Sequence, residues 1–456
     1  MSSAWPQEVA TPDTHPSALT DRRRRMAAWA IAVFLGVSPV WLGSNRPVFW
    51  AANAVMLGIF AAIESTRAAG APVVPSRSPL LVACGIACCV YVFYLMLQVL
   101  PLTGLFGIVD PALRDASAIS LAPGATLLML VRNVSYIVLF VLARNVGLDD
   151  SHRNLLLRAV GTVITVHAVF GLIALHAGDT ILGLDKWAYQ NVATGTFVNR
   201  NSFATFLAFG AVIMTAQCIA AATERSTTAR DAILQLAIYG LGLCFIVATV
   251  AATQSRMGLA VTAIGVVSVC LLGMLRVRRP SWLLVGVVLV IVASTVLTIG
   301  AYGDGLLDRL ASVDDASETR TTLYSQILTL VSQRPWTGFG GGSFEIVFPL
   351  VHASPVSPDL VWDKAHNTYL ALWVEMGVVF GSLPPAILLL TALHLLRSLI
   401  QRVGSWRSQA TALGAITVAG VHSLVDFSLE IEANAFVLAT LVALGLAGST
   451  LNRGQS

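Results

Sequence analysis

Residues 195–210 read GTFVNRNSFATFLAFG. Arg200 stands between Asn199 and Asn201 at the mouth of an unbroken apolar run. A cation where a helix enters lipid is costly unless it reaches water or meets an anion. The stretch reads as the start of a membrane-spanning helix whose first side chain faces outward, toward a phosphate. Composition supports the membrane half of that reading. The 456-residue chain is 56% hydrophobic and 11% charged, whereas a soluble domain carries about a quarter charged residues. A soluble class is excluded. The expected fold is all-α, a polytopic membrane protein.

A span needs about 20 apolar residues. Runs of that kind lie near 27–43, 47–63, 80–100, 124–144, 155–177, 201–222, 232–253, 257–275, 282–301, 367–396, 409–427 and 434–451. They predict about twelve transmembrane helices. The tenth is long and holds Gly377, Gly381, Pro384 and Pro385, so it is expected to tilt or kink. Arg22 to Arg25, Arg67, Arg77, Arg144, Arg153, Arg158, Arg225, Arg230, Arg276, Arg278, Arg279, Arg397, Arg402, Arg407 and Arg453 then share one side. By the positive-inside rule that side is the cytoplasm. The chain divides into a cytoplasmic tail 1–26, transmembrane helices 1–9 over 27–301, a large periplasmic loop 302–366, helices 10–12 over 367–451 and a cytoplasmic tail 452–456. The opening DRRRRMAAWAIAVFLGV reads as an uncleaved first helix rather than a signal peptide, since no small-residue cleavage site follows it. Cys84, Cys88, Cys89, Cys218, Cys244 and Cys270 all sit in apolar runs and read as small packing residues.

The large loop contains ETRTTLYSQILTLVSQRP. Leu323, Tyr324, Ile327, Leu328, Leu330 and Val331 share one helical face, with Ser317 as N-cap and Pro335 and Gly338 as the stop. This helix lies at the outer interface or walls a cavity. GFGGGSF, 338–344, follows as a turn. It lacks the lysine of a phosphate-binding loop and the strand of a dinucleotide fold, so nucleotide binding is rejected.

A handful of cations fall on the outer side or within a span. Arg132 lies inside the fourth helix, Arg200 and Arg256 begin the sixth and eighth, Arg320 begins the amphipathic helix, and Lys364 closes the loop. One reading is snorkelling, or ion pairs with Glu375 or Asp426. The other is an anion site built by Arg200 and Arg256 at equivalent helix starts on one face. Two guanidinium forks match phosphate oxygens, and helix N-termini add oriented N–H groups. Such a site holds a pyrophosphate and stabilises it as a leaving group. It needs no metal. His366, at the outer start of the tenth helix, is the candidate general base, and His422 is a second candidate.

GTFVNRNSFATF, QSRMGLA, the arginine-led helix ending in RPWTGFGGGSF, and AHNTYLALWVEMGVVFG together resemble the O-antigen ligase and polymerase superfamily, over roughly residues 190–385 and in the family's order. The resemblance implies an inverting, metal-independent glycosyltransferase of the bacterial inner membrane, with its active site facing the periplasm and with no cofactor. The implied partners are a glycan on undecaprenyl pyrophosphate, an acceptor that is lipid A core or another repeat unit, and the lipid bilayer, with no nucleic acid. Carried over, Arg200 and Arg256 bind the donor pyrophosphate, His366 is the catalytic base, and Arg320 is a further phosphate or acceptor contact. Asn199, Asn201, Lys364, Asn367 and His422 are candidate substrate contacts. Gly377 fits the spacing of the family's histidine motif, but Phe380 and Gly381 end it out of step. Ligase chemistry in lipopolysaccharide assembly is the first reading. Polymerisation of O-antigen or exopolysaccharide repeats, transfer to protein hydroxyls, and a non-enzymatic glycan transporter stand as alternatives. No internal repeat favours the last of these.

Overall fold

The computed structural model describes residues 18–68, 79–101, 117–223, 228–276, 313–359 and 361–449. It is an all-α membrane protein, with one two-residue hairpin, Thr180–Ile181 against Leu184–Asp185, as its sheet among the described residues. Apart from a single turn at Phe344–Val347, the α-helices are α1 Ala18–Val37, α2 Pro47–Ala68, α3 Pro79–Val99, α4 Pro123–Gly147, α5 Asp150–His176, α6 Arg200–Thr223 and α7 Ala229–Ala252. They continue as α8 Arg256–Met274, α9 Val313–Gln333, α10 Thr368–Gly381, α11 Leu383–Ile400, α12 Trp406–His422 and α13 Glu432–Ala447. Among the described residues eight of these, α2 to α8 and α11, are long and apolar enough to cross a membrane. The expected ninth span, 282–301, lies outside the described residues, as do most of the N-terminal tail and the last tail.

The helix that opens with Arg200 is the axis of the fold. Every residue of α6 from Ser202 to Ala221 is buried. Helices α5, α7, α8, α12 and α13 pack around it. A helix apolar all round has no face to offer water, so it takes the centre. Lipid tails are as apolar as a core, so close packing rather than water exclusion holds such a bundle. Ala204, Ala208, Gly210 and Ala211 let the neighbours approach. All six cysteines are free and lie within α3, α6, α7 and α8.

Three expectations are corrected. The first span stops earlier than 43, because Ser38-Pro39 diverts the chain into a 3-10 turn, and α1 carries Arg22 to Arg25 within it. The tenth span breaks at the glycine and prolines expected to kink it, and the single helix is replaced by two. Gly377 has φ 74° and ψ 165° inside α10, and Pro384 and Pro385 open α11, where the missing N–H is tolerated. Residues 335–340 cross the break: Val378 N donates to Pro335 O at 2.8 Å, Phe339 N to Val374 O and Gly340 N to Glu375 O, both at 2.9 Å. A Cβ on Gly377 would lie 2.3 Å from Trp336 O, so the glycine is required by this crossing. The eleventh span ends at His422, and residues 423–431 run irregularly before α13.

The amphipathic helix forms as α9. It starts at Val313, so Ser317 lies within it rather than capping it. Leu323, Ile327, Leu330 and Val331 pack against Leu370, Ala371 and Val374 of α10. Leu328 was expected on that face but is exposed.

Arg132 of α4 donates to the Glu430 carbonyl, and its guanidinium lies 4.5 Å from the Trp50 ring centroid. Lys364 pairs with the Glu430 carboxylate at 2.9 Å. The ion pairs anticipated with Glu375 or Asp426 are replaced by this convergence on Glu430, a partner brought in by the irregular segment after α12. Arg132 thus ties α2, α4 and that segment together. Arg132→Gln is expected to lower the folded yield and to destabilise by about 1–3 kcal/mol, while specific activity per folded molecule is kept. Thermal unfolding and an expression-normalised transfer assay check both halves.

Candidate active site

Two helix starts meet at one point. Asn199 caps α6: its Oδ1 accepts from Asn201 N at 2.7 Å and Ser202 N at 3.3 Å. Ser255 caps α8 and accepts from Gly258 N at 3.1 Å. Ser255 Oγ also donates to Asn201 Oδ1 at 2.8 Å. The residue beside each tied side chain is an arginine, so the tie sets Arg200 and Arg256 next to one another at the positive ends of two helices. The other end of Asn201 donates to Asp426 Oδ1 at 3.2 Å.

The approach of the two helices depends on Gly258. A Cβ there would lie 2.4 Å from the Ala204 Cβ. Gly258→Val forces α8 off α6 at the level of the arginines. The expected cost is about 1–3 kcal/mol, with weakened donor binding in the protein that still folds. Unfolding midpoint and donor affinity measured on the same preparation test this.

A cavity of about 410 Å³ opens in front of the helix starts. It is lined by Arg200, Asn201, Gln254, Ser255, Arg256, Met257, Arg320, Tyr324, His422 and Val425. Three guanidinium groups and no carboxylate are among these lining residues. Arg200 also faces the Tyr189 ring at 5.5 Å. Helix α9 forms a wall of the cavity through Arg320 and Tyr324.

The structure therefore gathers Arg200, Asn201, Arg256, Arg320 and His422 from the sequence candidates. Asn199 lies beneath them as the α6 cap and gives its amide to Tyr189 Oη at 3.1 Å. His366 does not line the cavity. It is attached to its wall: Tyr324 Oη donates to the His366 carbonyl at 3.0 Å. His366 has φ 51°, a left-handed backbone that costs roughly 1–2 kcal/mol. Its ring sits edge-on between Trp362 at 5.9 Å and Phe427 at 5.1 Å. Burial pushes the imidazole below its ordinary pKa, opposed by the Asp426 carboxylate and reinforced by Arg320. It is thus a neutral imidazole at pH 7, in the form a base requires. Asn367 caps α10, accepting from Tyr369 N at 3.0 Å and Leu370 N at 3.1 Å, and its amide holds the Leu424 carbonyl at 2.9 Å. Lys364 is engaged with Glu430.

Sequence reasoning passed over Gln254, Ser255, Met257, Tyr324 and Val425 as lining residues. Ser255 was open to detection, since a serine immediately before the first residue of an apolar helix is an N-cap signal. Tyr324 was placed on the packing face, where it does lie against the apolar cluster, and its second role as cavity lining was not foreseen. Thr205 was missed as well; it lies against His422, 217 positions away, and nothing local marks it.

Residues 241–383 match the protein-family model described as O-antigen ligase. The match runs from within α7 to the end of α10, so it includes Arg256, Arg320, Lys364, His366 and Asn367. Arg200 and His422 lie outside it and join the site only through the fold. The chain has no match among the curated proteins.

Proposed function

We propose that this member of the O-antigen ligase superfamily, a membrane glycosyltransferase of the ligase or polymerase type, transfers a glycan from undecaprenyl pyrophosphate to an acceptor sugar hydroxyl. The reaction takes place at the periplasmic face of the bacterial inner membrane. The observation that carries this reading is the cavity in which Arg200, Arg256 and Arg320 meet the N-termini of α6 and α8. The geometry suits a diphosphate: two forks beside one another for its oxygens, and two positive helix ends behind them.

The acceptor hydroxyl oxygen attacks the anomeric carbon, and the new O–C bond forms as the bond from that carbon to the phosphate oxygen breaks. His366 takes the hydroxyl proton. Arg200 and Arg256 hold the charge left on the departing diphosphate. Attack opposite the leaving group inverts the anomeric centre. Since the guanidinium groups supply the counter-charge, the reaction proceeds without a metal.

The test uses purified full-length protein with labelled lipid-linked glycan and lipid A core, with and without a chelator. Transfer that a chelator leaves unchanged supports the reading. Absence of transfer to any sugar acceptor removes it. Assembly of lipopolysaccharide by ligation is the reading adopted. In a deletion strain it leaves long polymer on the carrier and bare core, whereas accumulation of single repeat units would identify a polymerase.

A further inference from the structure

The arginine cavity contains a polar group that the ligation chemistry given above does not use. His422 ends α12, is 1% exposed and lines the cavity. Its Nδ1 meets Thr205 Oγ1 of α6 at 2.5 Å. Its Nε2 is buried and has no hydrogen-bond partner among the described residues.

Thr205 Oγ1 is placed to donate to Nδ1. The same hydroxyl also reaches the Asn201 carbonyl at 3.1 Å, which already has its donor in the helical ladder. In the neutral tautomer in which Nδ1 accepts, the ring carries its hydrogen on Nε2, and in that form the histidine presents a buried donor to the cavity. The groups around it in the cavity wall, Arg200, Arg256 and Arg320, are donors too. Asn201 has both its amide and its carbonyl engaged. A buried donor left without an acceptor is costly, so what enters the cavity has to bring an acceptor to Nε2.

We propose that His422, oriented by Thr205, donates an Nε2–H hydrogen bond to the diphosphate of the donor lipid. This rests on the diphosphate reading given above and adds to it a neutral donor, supplied by α12, beside the three guanidinium groups. His422 is then a ligand of the leaving group, distinct from the base assigned to His366. The arginines attract the diphosphate by charge over a distance. The imidazole acts only at contact, and so it fixes which phosphate oxygen lies where.

The experiment measures binding of farnesyl diphosphate and of inorganic pyrophosphate to the full-length protein in detergent, with an unfolding midpoint for every variant. Wild type is expected to bind both. His422→Ala is expected to weaken binding by about tenfold, the worth of one hydrogen bond to a charged acceptor, and His422→Gln, which keeps an N–H at similar reach, to recover most of it. Equal affinity in wild type and His422→Ala overturns the proposal while leaving the diphosphate site standing. No recovery in His422→Gln overturns it as well, because a role in packing alone predicts that pattern. Should His422→Ala not fold, Thr205→Val carries the test: a severalfold loss supports the orientation argument, and an unchanged dissociation constant overturns it. Failure of wild type to bind either probe removes the diphosphate reading itself, and this proposal with it.

Discussion

Arg200→Ala and Arg256→Ala are each expected to lower transfer by about 10²–10³-fold, the loss for removal of one preorganised charge-stabilising group. The argument begins with the caps. Asn199 and Ser255 fix the first turns of α6 and α8, and the Ser255–Asn201 hydrogen bond of 2.8 Å holds those turns together. The backbone positions from which the two guanidinium groups reach the cavity are thus fixed. Charge on the bridging oxygen grows as the bond to the anomeric carbon breaks, so the transition state gains more from them than the bound donor does. Lysine keeps the charge but loses the fork. Arg200→Lys and Arg256→Lys are therefore expected to recover only a minor part of the activity. The measurement is turnover at saturating donor, paired with donor affinity. Full turnover in either alanine variant, in protein with a native unfolding midpoint, would remove these residues from the site.

The placement of those two arginines was legible in the sequence because it is local. A cation at the first residue of an apolar run announces both a helix start and a reason to face water. The structure begins α6 at Arg200 and α8 at Arg256, as the pattern required. The opposite case is VHSLVDFSLE. Its apolar residues continue the spacing of a span, yet the helix stops at His422. The carbonyls of Ser423 and Leu424 leave the ladder to take Thr368 N at 3.0 Å and the Asn367 amide at 2.9 Å. Those partners come from a different part of the chain, and no local pattern foretells them. The same holds for Arg132 and Lys364. That each needs an anionic or carbonyl partner follows from burial, but that both choose Glu430 depends on where the unwound segment falls. Gly377 lies between these cases. Its spacing from His366 was visible, whereas its reason, the backbone of 335–340 lying across α10, is tertiary.

The second large effect concerns His366. His366→Ala is expected to lower turnover by about 10²–10⁴-fold, the usual worth of a general base, with donor affinity kept. The separation follows from placement: the arginines line the cavity, while His366 stands outside it and is joined to it through Tyr324. The pH profile tests the same assignment. A base acts in its neutral form. Burial holds the His366 imidazole below its ordinary pKa, with Asp426 pulling it partly back up. Activity should therefore be level from neutral pH upward and decline on acidification, with a midpoint below the ordinary imidazole range. Asp426→Asn removes the group that raises this pKa while keeping an oxygen for the Asn201 amide, so the acid limb should move to still lower pH. A limb that moves to higher pH in Asp426→Asn, or one that is unchanged in His366→Ala apart from its height, would assign the titration to another group. Normal turnover in His366→Ala would remove the base from this position altogether.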